Sequence, residues 1–200
     1  MSWWPFVTAL GDTGVVLPAF AFAAGWLAVR RQVGMCLSWT MLLMLVGGVV
    51  IASKLAFMTW NLGIGALDFT GLSGHTAMSV VVWPPLCVLL ARREGCQRAV
   101  AGMAGVVLAL LIAWSRIELH AHSVSEVVGA LLIGLPGVAI LFRTRWSYWA
   151  VSGGRMLLIF ALLAMLPLTY GHRFPSDKIL RFAAMQLSPN HTIYRRDLLR

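Results

Sequence analysis

Hydrophobic residues in this chain come in long runs, separated by short polar gaps. Six runs read as spanning helices: Thr8–Val29, Met35–Ser53, His75–Ala91, Ala99–Trp114, Val124–Phe142 and Met156–Leu168. A helix needs about 20 residues to cross a bilayer, with about 17 as a lower limit. The fourth and sixth runs fall short of that length. The fourth must borrow from its flanks, and the sixth is expected to start nearer Ala150, with Arg155 snorkelling to the headgroups. Pro84 and Pro85 lie inside the third run and should kink it, which neighbouring helices in a bundle tolerate. Near Thr169 the apolar pattern gives way to a polar tail. Within it, Leu180, Ala183, Ala184 and Leu187 share one face of a helix expected over Ser176–Leu187, flanked by Ile179 and Met185. Ser176 is the expected cap, and Asp177 suits the positive end of that helix. The expected fold is all-α: a polytopic six-transmembrane-helix bundle over residues 1–168 and a tail over residues 169–200 with a short amphipathic surface helix.

Composition sharpens the class. Hydrophobic residues make up 60% of the chain and charged ones 12%, too little polarity to cover a soluble domain. The net charge of +9 does not signal nucleic acid, because the basic residues sit in gaps between apolar runs and no nucleic-acid-binding motif is present. Membrane lipids are the expected surroundings; oligomeric state is left open. Eight of the sixteen Lys and Arg lie in three gaps: Arg30 and Arg31; Arg92, Arg93 and Arg98; Arg143, Arg145 and Arg155. These gaps follow the first, third and fifth spans, so the positive-inside rule puts them in the cytoplasm. The opposite face receives the N-terminus, the loops near residues 54–74 and 115–123, and the tail. The tail opposes the rule, since it carries Arg173, Lys178, Arg181, Arg195, Arg196 and Arg200 to that outer face. No Lys or Arg precedes Arg30, so the basic start of a cleaved signal peptide is missing and an uncleaved first helix is expected. Trp3, Trp4, Trp60 and Trp114 should lie at the outer interface, and Trp26, Trp39, Trp146 and Trp149 at the inner one. Cys36, Cys87 and Cys96 have no metal spacing and read as small buried apolar residues.

Against this apolar background, residues 115–126 stand out. They place Arg116, Glu118, His120, His122 and Glu126 between two spans. Ionisable groups at a membrane edge are costly unless solvated or paired, so they mark a functional site by default. His122 and Glu126 are four apart and share a face if the helix has begun by Ser123 or just before. The carboxylate can then hold one ring nitrogen and free the other for attack or proton transfer. Two other clusters fall on the same outer side. Lys54 closes the second span, and Gly71-Leu72-Ser73-Gly74-His75 opens the third. Lys54 and Arg116 supply positive charge, and the helix start at Ser73, Gly74 and His75 offers free backbone N–H groups. Together they form an anion site suited to phosphate, with His75 able to protonate a leaving oxygen. Each residue also has a plainer role: Lys54 as a snorkelling lysine, Ser73 as a helix cap, Arg116 as an interfacial charge, His122 and Glu126 as a structural polar pair. His120 reads as a loop residue.

On these residues the chain resembles the type 2 phosphatidic acid phosphatase superfamily, in its membrane lipid-phosphatase branch. The family pattern is Lys-x6-Arg-Pro, Pro-Ser-Gly-His and Ser-Arg-x5-His-x3-Asp. Here it is met by Lys54 with Asn61-Leu62, by Leu72-Ser73-Gly74-His75, and by Ser115-Arg116, His122 and Glu126. The resemblance implies catalysis without metal or other cofactor. His122 would form a phosphohistidine, Glu126 would orient it, and His75 would serve the leaving group and later the water. Lys54, Ser73, Gly74 and Arg116 would hold the phosphate oxygens. Asn61 stands where the family has an arginine, Leu62 and Leu72 where it has prolines, and Glu126 where it has an aspartate. Arg173, in the tail, is the expected substitute for the missing arginine.

The implied activity is hydrolysis of a lipid phosphomonoester or diphosphate, with the site facing the periplasm or exterior of a bacterial inner membrane. Undecaprenyl diphosphate, phosphatidylglycerol phosphate, phosphatidic acid and lipid A phosphates are candidate substrates, and phosphoryl transfer to another lipid stays open. Three alternatives compete. Gly71-Leu72-Ser73-Gly74 fits the Gly-x-Ser-Gly pattern of a rhomboid-like intramembrane protease, but leaves Lys54, Arg116, His75 and Glu126 without work. A non-catalytic lipid-binding member is favoured by Asn61. A metal site on His120, His122 and Glu126 is poor, since histidines two apart do not share a helix face.

Overall fold

A computed structural model describes residues 3–91, 95–145, 155–169, 175–188 and 193–195. Among them the regular structure is helical: α1 (Trp4–Ala9), α2 (Thr13–Val29), α3 (Val33–Trp60), α4 (Gly74–Leu90), α5 (Cys96–Glu118), α6 (Val124–Arg145), α7 (Arg155–Thr169) and α8 (Ser176–Leu187). A single 3-10 turn, Gly65–Leu67, interrupts the loop between α3 and α4. Three stretches are long and apolar enough to cross a membrane: Val33–Trp60, Cys96–Glu118 and Val124–Thr144. α2, α4 and α7 are shorter apolar helices. Large apolar side chains such as Met41, Met44, Leu45, Met103, Leu132 and Ile140 point outward. With apolar groups both inside and outside, this is a membrane protein.

α4 forms the centre. Its residues Thr76, Ala77, Ser79, Val80, Val81, Val82, Leu86, Val88 and Leu89 are buried all round, and it packs on α2, α3, α5, α6 and α7. A helix apolar on every side belongs in the middle of a bundle. Pro84 and Pro85 sit inside it. Pro85 has no N–H for the carbonyl of Val81, four residues back. The indole of Trp39 takes that place, its Nε1 donating to Val81 O at 2.9 Å. Trp39 is fully buried and meets Phe20 edge-to-face at 5.1 Å. It is therefore a core residue and not part of an inner interfacial belt. Trp3, Trp60 and Trp114 are exposed, while Trp146 and Trp149 lie outside the described residues.

Several boundaries differ from the apolar runs. The first run does not form one helix. Asp12 caps α2, its Oδ1 accepting from Gly14 N at 2.8 Å, and its extended backbone separates α1 from α2. α3 continues past Lys54 to Trp60, because nothing in residues 55–60 breaks a helix, and stops where Asn61 turns left-handed at φ 54°. Lys54 is thus within α3 and not at its end. α5 borrows from both flanks to reach 23 residues, as its length requires. Arg98 lies inside it and is buried, where the charge pattern suggests an exposed topology signal. α7 begins at Arg155; Ala150 lies outside the described residues. α8 occupies Ser176–Leu187, capped by the backbone of Pro175 and not by Ser176. Its inner face is Leu180, Ala183 and Ala184, whereas Leu187 is exposed. The three thiols are free, and Cys96, in the first turn of α5, is exposed and not buried.

Candidate active site

The loop between α5 and α6 is built by two helix ends. α5 closes with Ala121 N and His122 N both donating to Arg116 O, at 3.0 and 3.2 Å, across His120 at φ 51°. α6 opens with a capping box. Glu126 N donates to Ser123 Oγ at 3.4 Å, and Ser123 N donates to Glu126 Oε2 at 3.3 Å. That reciprocal pair is what Ser-x-x-Glu does at a helix start. His122 stands one residue before the cap, outside the helix, yet its Nδ1 reaches Glu126 Oε2 at 2.6 Å.

The carboxylate of Glu126 is fully buried and takes donors on both oxygens. Oε1 accepts from Thr70 N at 2.8 Å and from Thr70 Oγ1 at 2.6 Å. Thr70 was not singled out by any motif. With Thr70 and Ser123 donating to it, Glu126 acts as an acceptor, so the proton of the shared bond is assigned to His122 Nδ1 and the lone pair to Nε2. Burial pushes the His122 imidazole below its usual range. The hydrogen bond and charge of Glu126 oppose that shift, and the charges of Lys54 and Arg116 add to it.

The loop before α4 completes the site. Gly71 adopts φ 139°, and a Cβ there would lie 3.0 Å from Lys54 Cα and 3.2 Å from Lys54 N. Only glycine lets this loop press against α3 beside the lysine. Ser73 is fully buried and caps α4; its Oγ accepts from Thr76 N at 3.5 Å and Thr76 Oγ1 at 3.0 Å. Its own N–H donates to Glu126 O at 3.2 Å, tying the start of α4 to the start of α6. A Cβ on Gly74 would meet Val50 Cγ1 at an ordinary 3.7 Å, so packing does not demand glycine there.

The N-terminal turn supplies partners that no motif pointed to. Asp12 Oδ2 lies 3.7 Å from His75 Nε2. Thr8 Oγ1 accepts from Arg116 Nη1 at 2.8 Å. The Gly-Asp-Thr triplet at 11–13 carried the only available signal, a helix-cap pattern within an apolar run.

Two cavities meet at Lys54, His122 and Asp177. One, of about 430 Å³, contains Gly74, His75, Arg116 and His122, and extends past Leu17, Val50, Ile51, Leu55 and Met78 to the inner face of α8. The other, of about 440 Å³, has a mixed lining in which Thr70, Gly71, Arg181 and Arg195 stand beside Phe57, Met58 and Ile193. The structure thus brings His122, His75, Glu126, Lys54, Gly74 and Arg116 into one site. Ser73 sits behind it as a cap and lines neither cavity. Asn61 is exposed at the end of α3 and also lines neither. Arg173 lies outside the described residues. Among the described residues, no group of three His, Cys, Asp or Glu side chains could hold a metal ion.

The family model of the PAP2 superfamily, the type 2 phosphatidic acid phosphatases, matches residues 55–150, which hold the second and third motifs. The chain belongs to the PAP2 superfamily. PAP2 members are phosphatases, which makes a phosphatase the coarse reading of this chain. It is also similar to an uncharacterized 22.5 kDa protein in the cps region of Klebsiella pneumoniae, 42% identical over 195 residues, covering 93% of this chain and 92% of that one. No solved structure matches.

Proposed function

We propose that this PAP2 protein is a membrane lipid phosphatase that works through a phosphohistidine on His122. The observation that carries the proposal is the Glu126–His122 bond at 2.6 Å, beside a cavity that also contains His75, Lys54 and Arg116. In the first step His122 Nε2 attacks phosphorus. The bond from phosphorus to the lipid oxygen breaks as His75 gives that oxygen a proton. Asp12 complements the imidazolium form of His75 and orients it. Lys54, Arg116 and the N–H groups at the start of α4 hold the phosphoryl oxygens as charge shifts among them. In the second step His75 takes a proton from water. The water oxygen bonds to phosphorus, the P–Nε2 bond breaks, and inorganic phosphate leaves. Glu126 balances the positive charge that His122 carries between the steps. These residues supply the positive charge themselves, so the scheme uses no metal.

The apolar arm of the cavity supports a lipid as substrate. A chain laid along Leu17, Val50, Ile51, Leu55 and Met78 would exchange water for apolar contact at about 25 cal/mol per Å². In this reading α2 to α7 make six spans of a bacterial inner membrane, and the positive charge of the gaps after the first, third and fifth spans supports placing the site on the outer face. In this arrangement residues 1–168 form the phosphatase domain, and the tail lies over its outer mouth. The protease reading loses support, because Ser73 Oγ is buried against Thr76. The test is a panel assay of purified protein with undecaprenyl diphosphate, phosphatidylglycerol phosphate, phosphatidic acid and lipid A phosphates, scoring released phosphate with and without chelator. The expected result is chelator-resistant release from at least one lipid. Release that stops in chelator and returns with a divalent ion counts against the scheme.

A further inference from the structure

The cavity on the tail side of His122 shares Lys54 and His122 with the site above, but its arginines, Arg181 and Arg195, have no part in those steps. Its cations come from three separately fixed places. Lys54 stands within α3, and its Nζ pairs with Asp177 Oδ1 at 3.6 Å. Arg181 stands on α8, which packs on α3 and buries Ala184 completely. Arg195 follows Tyr194, whose N–H donates to Met58 O at 2.9 Å. Three cations against the one carboxylate of Asp177 leave a surplus of positive charge around about 440 Å³. Phe57, Met58 and Ile193 also line this space, but the long apolar arm belongs to the other cavity, and the surplus of positive charge here suits a compact anionic group.

We propose that this cavity is a second anion subsite, in which Arg181, Arg195 and Lys54 hold a phosphate-class oxyanion and Asp177 is its built-in competitor. The identity of the occupant rests on the phosphatase reading. It is either a further phosphate on the substrate headgroup or the inorganic phosphate released from His122. In both cases the tail supplies the positive charge that Asn61 does not.

Binding without turnover tests this apart from the phosphatase reading. The full chain in phosphatidylcholine nanodiscs is titrated calorimetrically with inorganic phosphate and with methylenediphosphonate, which cannot be hydrolysed at its P–C–P bridge. Methylenediphosphonate should bind at least about tenfold more tightly than phosphate, and R181A/R195A should weaken it by about tenfold, the range of two partly solvated charge-assisted contacts. R181K/R195K should retain most of the affinity. Weakening confined to the diphosphonate assigns the subsite to a substrate headgroup; equal weakening of phosphate assigns it to the released product. Asp177→Asn should tighten both anions severalfold, whereas a purely structural Lys54–Asp177 pair gives unchanged or weaker binding. Arginines that only touch lipid headgroups leave every affinity unchanged. Unchanged affinities in R181A/R195A, or a D177N protein that binds no more tightly than wild type, overturn the proposal.

Discussion

At the scale of residues, the site is a chain of fixed partners running Thr70, Glu126, His122. Thr70→Ala removes a 2.6 Å donor from a buried carboxylate, although the backbone N–H stays. A lost hydrogen bond to a charged group costs about 1.5–3 kcal/mol, so turnover should fall by roughly ten- to a hundredfold with little change in KM. An equal loss carried entirely by KM would place Thr70 at the substrate. His122→Ala should abolish phosphate release, while Ser73→Ala should cost about 1 kcal/mol of stability as a lost cap. A dead Ser73→Ala beside an active His122→Ala reverses the assignment. The pH profile carries a sign. Burial lowers the His122 value from its usual 6.5, so the neutral nucleophile persists below that pH. The acid limb of kcat/KM should fall below pH 6.5, and the alkaline limb should disappear in His75→Ala. An acid limb above that value, or an unchanged alkaline limb in His75→Ala, contradicts these roles. What the sequence made legible here were residues bound to local spacing: Ser-Gly-His at a helix start, and a histidine four before a glutamate. Thr70 and Asp12 were not legible, since their partners Glu126 and His75 lie far along the chain with no spacing rule to join them. Ser123-x-x-Glu126 could have been read as a capping box. It also explains the glutamate, which reaches back to Ser123 N and still meets His122.

At the scale of elements, helix starts and ends make the site. The first turn of α4 offers its N–H groups, and Gly74 keeps their approach open. Gly74→Ala meets only Val50 at 3.7 Å, so the fold should persist, with thermal stability unchanged or slightly raised. Substrate should bind at least about tenfold more weakly, because the new methyl stands where an oxyanion must approach the backbone. Wild-type KM in that variant removes the α4 start from the phosphate site. Gly71→Ala should instead damage the fold, since its Cβ would strike the backbone of Lys54. Apolar runs located the helices well in their middles and poorly at their ends. A break such as Asp12, or continuation such as α3 beyond Lys54, depends on one cap or on the lack of one. The tail shows the same limit. Its amphipathic face pointed to a helix, but only the folded chain shows Arg181 and Arg195 lining a cavity beside His122.

At the scale of the whole molecule, α4 is held in the centre, and Trp39 of α3 partners the Val81 carbonyl that Pro85 leaves open. Trp39→Phe strands the Val81 carbonyl and should cost about 1–3 kcal/mol, read as a lower melting temperature with KM unchanged. No shift in melting temperature would show that the indole bond is not what permits Pro85. The bundle then carries the starts of α4 and α6, the end of α5 and the N-terminal turn to one end, where His75, His122, Lys54 and Arg116 line one cavity. The proposed function has one chemical signature, a covalent bond between phosphorus and His122. Rapid quench of the protein with lipid diphosphate bearing ³²P at the terminal phosphate tests it directly. The expected result is an acid-labile, alkali-stable label on the His122 peptide, absent in His122→Ala. Turnover without such a label, or a label carried by Ser73 or surviving in His122→Ala, contradicts it.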